Sequence, residues 1–284
     1  PTDEELTINP LWESGDFEFI ELMNIGTEVL DMDAVAFTAG ITFTFPLGGG
    51  LTLDAGERVV LVKNQAAFEA RYGTAVAVGG VFGSSLSNGG ERLLLVDGNG
   101  ATILDFEYGD SGSWPGRADG NGSTLELKDP SGTLAADYGD GDSWRNSSEF
   151  LGTPGEAGRG PLETVVINEV LTHTDPPQTD TIELLNVTAS PVTIGGWWLS
   201  DSSSDYFKFQ IPAGKTLAAG GYATYHEEDF NPSLGVDPKD FALSSAHGDD
   251  VYLLSDDGLG VIRFVDHVDF GGALNGESCG RWPN

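Results

Sequence analysis

Short runs in which apolar and polar side chains alternate dominate this chain. In Ile41-Thr42-Phe43-Thr44-Phe45 the residues 41, 43 and 45 share one face and the threonines the other, the period of a half-buried β-strand. Tyr206-Phe207-Lys208-Phe209-Gln210-Ile211 repeats the pattern and is expected to turn Phe207, Phe209 and Ile211 inward. Within Phe17–Leu22, Ile20 and Leu22 share a face while Glu21 points the other way. Turn chemistry separates the runs at Asp97-Gly98-Asn99-Gly100, Asp119-Gly120-Asn121-Gly122, Asp140-Gly141 and Asp257-Gly258. Only Asn64–Tyr72, with Ala66, Ala67, Phe68 and Ala70, reads as a short helix, closed by Gly73. The pattern predicts an all-β fold.

The pattern is also written twice. Phe19-Ile20-Glu21-Leu22-Met23-Asn24 returns as Thr181-Ile182-Glu183-Leu184-Leu185-Asn186, each preceded by an Ile-Asn pair, Ile8-Asn9 and Ile167-Asn168. Thr52-Leu53-Asp54-Ala55-Gly56 returns as Thr216-Leu217-Ala218-Ala219-Gly220, and Leu86-Ser87 as Leu243-Ser244, each ahead of an apolar strand. A repeat of this length is far longer than a solenoid unit, so two domains are expected. They span residues 1–155 and 164–284, joined by a polar Gly/Pro-containing linker at 156–163.

In their joint order these landmarks resemble the lamin tail domain family in its bacterial form. The resemblance rests on Ile167-Asn168-Glu169, the Ile-Glu-Leu-x-Asn strand and Trp197-Trp198-Leu199-Ser200-Asp201. In the first copy it rests on Trp114-Pro115, Ala118 to Leu127, Trp144-Arg145 and Thr153-Pro154-Gly155. Two departures stand out. Pro10 occupies the place of the opening Glu, and the second copy stops at Gly280-Arg281-Trp282-Pro283-Asn284 without a counterpart of Trp144 to Gly155, so either its closing segment is truncated or this copy closes differently. The resemblance implies two tandem immunoglobulin-like β-sandwich domains. It also implies a non-catalytic accessory pair in a secreted bacterial hydrolase or surface protein, whose partners include the neighbouring domains of the parent protein.

Charge narrows the partners. Acidic residues number 45 against 13 basic, a formal net charge of −32, so nucleic acids and anionic lipid surfaces repel the bulk surface. No run reaches the roughly 18 apolar residues of a membrane span, and no membrane insertion is expected. Cys279 is the sole cysteine, which excludes an intrachain disulfide and predicts a small buried hydrophobe on the last strand. The chain opens with Pro1 and reads as a piece of a larger extracellular or cell-surface protein.

Catalytic patterns are sparse. Gly109-Asp110-Ser111-Gly112 has no histidine ahead of it and reads as a turn; His173, His226, His247 and His267 lack zinc spacing; no phosphate loop appears. The expectation is no enzyme and no required cofactor. A structural Ca²⁺ is the best positive candidate, with Asp137, Asp140 and Asp142 as ligands in one tight loop; Asp201 to Asp205 and Asp249-Asp250 are weaker alternatives. Trp197 and Trp198 are the candidate platform for a sugar ring, since alternation turns one inward and one outward. Trp12, Trp114, Trp144 and Trp282 are expected to plug the sandwiches. The leading reading is therefore a module pair for spacing, anchoring or contact with an extracellular protein or the envelope. An extracellular polysaccharide-binding module, Ca²⁺-assisted, is the alternative, and a hydrolase comes third.

Overall fold

Strands with one apolar face must bury it, and this chain does so in two separate sandwiches. The computed structural model describes residues 1–172, 178–258 and 260–281. They form two units, Pro1–Ser147 with Leu151–Gly158, and Ser148–Phe150 with Arg159–Asn284.

The first unit opens with helix α1 (Asp3–Ile8) and strands β1 (Phe19–Met23), β2 (Leu30–Asp31), β3 (Ala36–Ala39) and β4 (Phe43–Thr44). It continues with β5 (Thr52–Leu53), β6 (Arg58–Val62), helix α2 (Gln65–Tyr72), β7 (Val78–Val81), β8 (Glu91–Val96) and β9 (Thr102–Tyr108). A ribbon of β10 (Leu125–Leu127) and β11 (Trp144–Asn146) follows. One sheet has the order β4-β3-β8-β9, the other β1-β6-β7, and β2 pairs with β5. Phe37, Leu93 and Leu95 from the first sheet meet Val59 and Leu61 from the second, with Ile20 and Leu22 beside them. The α2 helix forms where expected: Asn64 caps its N-terminus by accepting from the N–H groups of Ala66 and Ala67, and Gly73 ends it at φ +78°. It connects β6 to the parallel strand β7 and lays Phe68 on Val60 and Val62. Strand β6 is thus buried on both faces, which is why Val59–Val62 is an unbroken apolar run.

The second unit contains β12 (Val165–Leu171), β13 (Thr181–Asn186), β14 (Val192–Thr193), β15 (Trp198–Ser200), β16 (Phe209–Gln210) and β17 (Thr216–Leu217). Then come β18 (Tyr222–His226), helix α3 (Glu227–Phe230), β19 (Asp249–Asp256), β20 (Ile262–Phe270) and β21 (Ser278–Gly280). Its sheets run β16-β15-β19-β20 and β18-β13-β12-β21, with β14 paired to β17. Ile182, Leu184, Leu199, Val251 and Leu253 fill the space between them. The outer face of the β15–β19–β20 sheet carries a second cluster of Tyr206, Tyr252, Leu254 and Phe264, against which Phe150 packs. Both units are immunoglobulin-like β-sandwiches.

The two units share a set of hydrogen bonds that no periodicity reveals. Asn24 and Asn186, at the ends of β1 and β13, are 1% and 0% exposed. Asn24 Nδ2 donates to the carbonyls of Glu28 (2.8 Å) and Leu53 (2.9 Å), and its Oδ1 accepts from Gly26 N–H. Asn186 Nδ2 donates to the carbonyls of Ser190 (2.8 Å), Leu217 (3.3 Å) and Ala218 (2.9 Å), and its Oδ1 accepts from Thr188 N–H. Each asparagine therefore ties its strand to the small ribbon beside it. One residue before each strand, a carboxylate takes the N–H of the matching leucine: Glu18 from Leu86 (2.8 Å), Asp180 from Leu243 (3.1 Å).

Several expectations need correction. Ile8-Asn9 does not open a strand: Thr2 and Glu5 form a capping box that starts α1, and Glu5 is held in a bidentate pair by Arg71 of α2. The first unit consequently has no counterpart of β12. The helices α1 and α3 were not expected from the pattern, being too short to show a period. Phe207 leaves the core face because β16 begins only at Phe209; an Asx turn at Asp205 redirects the chain, and Phe207 packs edge-on against Trp198. Cys279 does lie on the last strand but is exposed, because β21 is an edge strand with both faces uncovered. Trp12 does not plug the first sandwich; it packs with Phe17 and Ala67 beside α2.

Candidate functional site

The richest collection of chemical groups lies where β12, β20 and β21 meet. Strand β21 pairs with β12 only at Glu169–Leu171, so the adjoining stretch of β12 needs other partners. Ile167 N–H donates to the Asp266 carboxylate at 2.7 Å, and Arg281 grips that carboxylate with two bonds of 2.9 and 2.8 Å. Arg281 Nε also donates to the Ile167 carbonyl at 3.0 Å. Side chains thus complete the edge of β12 where the ladder stops. A shallow open groove results, lined by Glu169, His267, Asp269, Cys279 and Arg281 among others.

Two of its groups, Glu169 and His267, are engaged by neighbouring side chains. Glu169 takes the hydroxyl of Ser278. His267 Nε2 lies 2.6 Å from Asp250 Oδ1, and its ring stacks flat on Tyr252 with centroids 4.3 Å apart. His226 Nδ1 lies 3.1 Å from Thr181 Oγ1, whose hydroxyl also has the Thr179 carbonyl within reach at 3.0 Å. A base that activates a hydroxyl must accept from it. At Thr181 the Thr179 carbonyl competes with the imidazole for the one hydroxyl proton.

The two groups of predicted site residues fall as follows. Trp197 is 5% exposed and belongs to the core of the second sandwich. Trp198 is half-buried in the outer aromatic cluster, its ring 5.5 Å from that of Phe207. In the acidic loop, Asp140 caps a short 3-10 turn by accepting from Asp142 N–H at 3.0 Å, while Asp137 and Asp142 are exposed. Among the described residues, no group of three or more His, Cys, Asp or Glu side chains converges as a metal site would require. Trp144 donates Nε1–H to the Tyr138 carbonyl and stacks near Phe106 and Trp114. His173 and Trp282 lie outside the described residues.

Groups with displaced acidities are structural as well. Burial raises the carboxyls of Glu18 and Glu21 above their ordinary range, and desolvation lifts the Tyr225 phenol to about 12. Backbone N–H groups of Ala101 and Asn99 hold Asp97 low in the β8–β9 turn. Sequence reading missed the clip of Asp266 and Arg281 on Ile167 and the Glu18 and Asp180 latches, because each joins residues more than 60 positions apart in the chain.

Residues 160–270 match the lamin tail domain. That family consists of immunoglobulin-like, non-catalytic domains, in keeping with the sandwich described for the second unit. The chain is also 26% identical over 221 residues to a protein described as the GTPase Obg of Oenococcus oeni, covering 70% of this chain and 49% of that one. It thus spans about half the length of that curated relative. No solved structure matches. The tripeptide Gly214-Lys215-Thr216 is the nearest approach to a phosphate loop, but Phe209 stands where the motif needs its first glycine, and the tripeptide joins β16 to β17 rather than leading into a helix. Among the described residues no helix is long and apolar enough to cross a membrane.

Proposed function

We propose that both halves of the chain are lamin-tail-like modules and that the pair serves as a non-catalytic accessory element of a larger extracellular or cell-surface protein, spacing, anchoring or contacting a neighbouring protein. The observation that carries this reading is the recurrence of one architecture. The sheet order of β4-β3-β8-β9 equals that of β16-β15-β19-β20, and the same asparagine and carboxylate latches sit in both units. In each copy the buried asparagine and the carboxylate latch are consumed in holding loops to strands, which is what a scaffold requires.

Binding of a polysaccharide is the weaker alternative, because a sugar stacks on an open aromatic face and Trp197 is buried while Trp198 is shared with Phe207. The test uses the whole chain. It is incubated with GTP, with chromogenic glycosidase, esterase and protease substrates, and with a panel of soluble polysaccharides followed by calorimetry with and without Ca²⁺. The accessory reading expects no turnover above a heat-denatured control and no saturable heat. Turnover of any substrate overturns it, and saturable Ca²⁺-dependent heat with one polysaccharide establishes the alternative.

A further inference from the structure

The two sandwiches differ at one edge, and the difference exposes a strand-binding site. In the second unit β13 lies between β18 and β12. In the first unit the equivalent strand β1 pairs with β6 and has no strand on its other side, because the chain ahead of it is spent in α1. The ladder fixes which groups are left over. Asn24 N–H donates to Glu57 and Lys63 N–H to Glu18, so in this antiparallel pair the even-numbered residues of β1 face β6. Phe19, Glu21 and Met23 therefore direct their N–H and C=O groups away from it. Among the described residues these groups have no hydrogen-bond partner.

Burial tells the same story. Ile182 and Leu184 of β13, covered by β12, are both 0% exposed, whereas every residue of β1 is only partly buried. An unpaired, half-apolar edge of this kind is a template for one more strand.

We propose that the free edge of β1 accepts an extended segment of a partner protein, added antiparallel as β12 is added to β13. The occupant's chemistry follows from the seat. It is rich in apolar, β-branched residues, as Val165-Val166-Ile167 is on β13. It is basic at its flanks, because the chain it joins carries a formal net charge of −32. The second unit also shows this fold completing an edge with a short extended piece: Glu149 bridges to Arg263, and Phe150 N–H donates to the Ile262 carbonyl at the rim of β20. The inference stands on backbone geometry and does not depend on the accessory role proposed above.

The test is hydrogen exchange read by NMR on the full chain. The probe is a synthetic peptide of the sequence Thr-Val-Val-Ile-Asn-Glu-Val-Leu-Thr, that of residues 164–172, with two lysines added at each end. The expected result is fast exchange of the Phe19, Glu21 and Met23 amides in the free chain, slowed at least about tenfold by the peptide. A control peptide with proline in place of the central isoleucine cannot complete the ladder and is expected to give no protection. Slow exchange of these three amides without peptide overturns the proposal. So does their indifference to the peptide, equal protection by the proline control, or protection appearing instead at Thr181, Glu183 and Leu185.

Discussion

Replacing Asn186 with alanine tests the duplicated latch at its most buried point. The two Nδ2 hydrogens are shared among the carbonyls of Ser190, Leu217 and Ala218, and Oδ1 accepts from the N–H and the hydroxyl of Thr188. Its residue is 0% exposed, so water cannot take over these partners. A neutral hydrogen bond contributes about 1 kcal/mol net, and a buried acceptor left bare adds about 1–3 kcal/mol. The expected loss is about 3–4 kcal/mol for Asn186→Ala, a large part of the ~5–15 kcal/mol that stabilises a domain. Asn24→Ala, with two donated bonds, is expected to lose about 2–3 kcal/mol. Asn186→Asp separates the roles: it keeps the acceptor for Thr188 but sets a carboxylate against three carbonyls, and should be at least as damaging as alanine. Urea unfolding followed by tryptophan fluorescence, with hydrogen exchange to assign each transition to a unit, gives the values. A loss below about 0.5 kcal/mol for Asn186→Ala, within the range of an ordinary surface change, would refute the reasoning.

The remaining predictions use the same measurement. Gly90 (φ +93°) and Gly248 (φ +85°) precede β8 and β19, and a Cβ there would sit 2.2 Å from the Tyr108 carbonyl oxygen and 2.1 Å from that of Phe270. Each alanine substitution is expected to cost about 2–3 kcal/mol in its own unit and nothing in the other; a tolerated Gly248→Ala would mean the hairpin start is not built as described. Tyr225 carries a buried hydroxyl without a partner among the described residues, so Tyr225→Phe is expected to be neutral or stabilising by up to about 1 kcal/mol, and a loss of 1 kcal/mol or more would point to a hidden partner. The Glu21 carboxyl is raised from its ordinary 4.5 by burial, so above that pH the unfolded chain gives up its proton first and the first unit loses stability until the folded carboxyl has also ionised. Glu21→Gln should make that decline shallower in urea midpoints measured between pH 4 and 7, leaving the share that Glu18 contributes, and an unchanged slope in the variant would contradict the assignment.

Much of the fold could be read from the chain because its signals were local. Alternation marked the strands around Ile41–Phe45 and Phe19–Leu22, and the α2 helix announced itself through Asn64 and Gly73. The first-unit edge could not be read this way. Ile8-Asn9 matches Ile167-Asn168 as a string, but a capping box and an ion pair to Arg71, 66 residues away, turn it into helix. Phe207 and Cys279 failed for a related reason: alternation says which side chains share a face, not whether anything covers that face. At the candidate groove, His267 and Cys279 were visible as residue types, while Asp266 and Arg281 acquired meaning only once β20 and β21 were brought beside β12.

Four amides outside the strand ladders offer the most direct check on the duplicated sandwich. Gly26 and Thr188 donate to the buried asparagines, and Leu86 and Leu243 to the carboxylates of Glu18 and Asp180. Hydrogen exchange resolved by residue should find all four slowed in the native chain, in matched pairs across the two units. Protection of Thr188 and Leu243 alone, with Gly26 and Leu86 exchanging like open loop, would mean that only the second half is built on this plan.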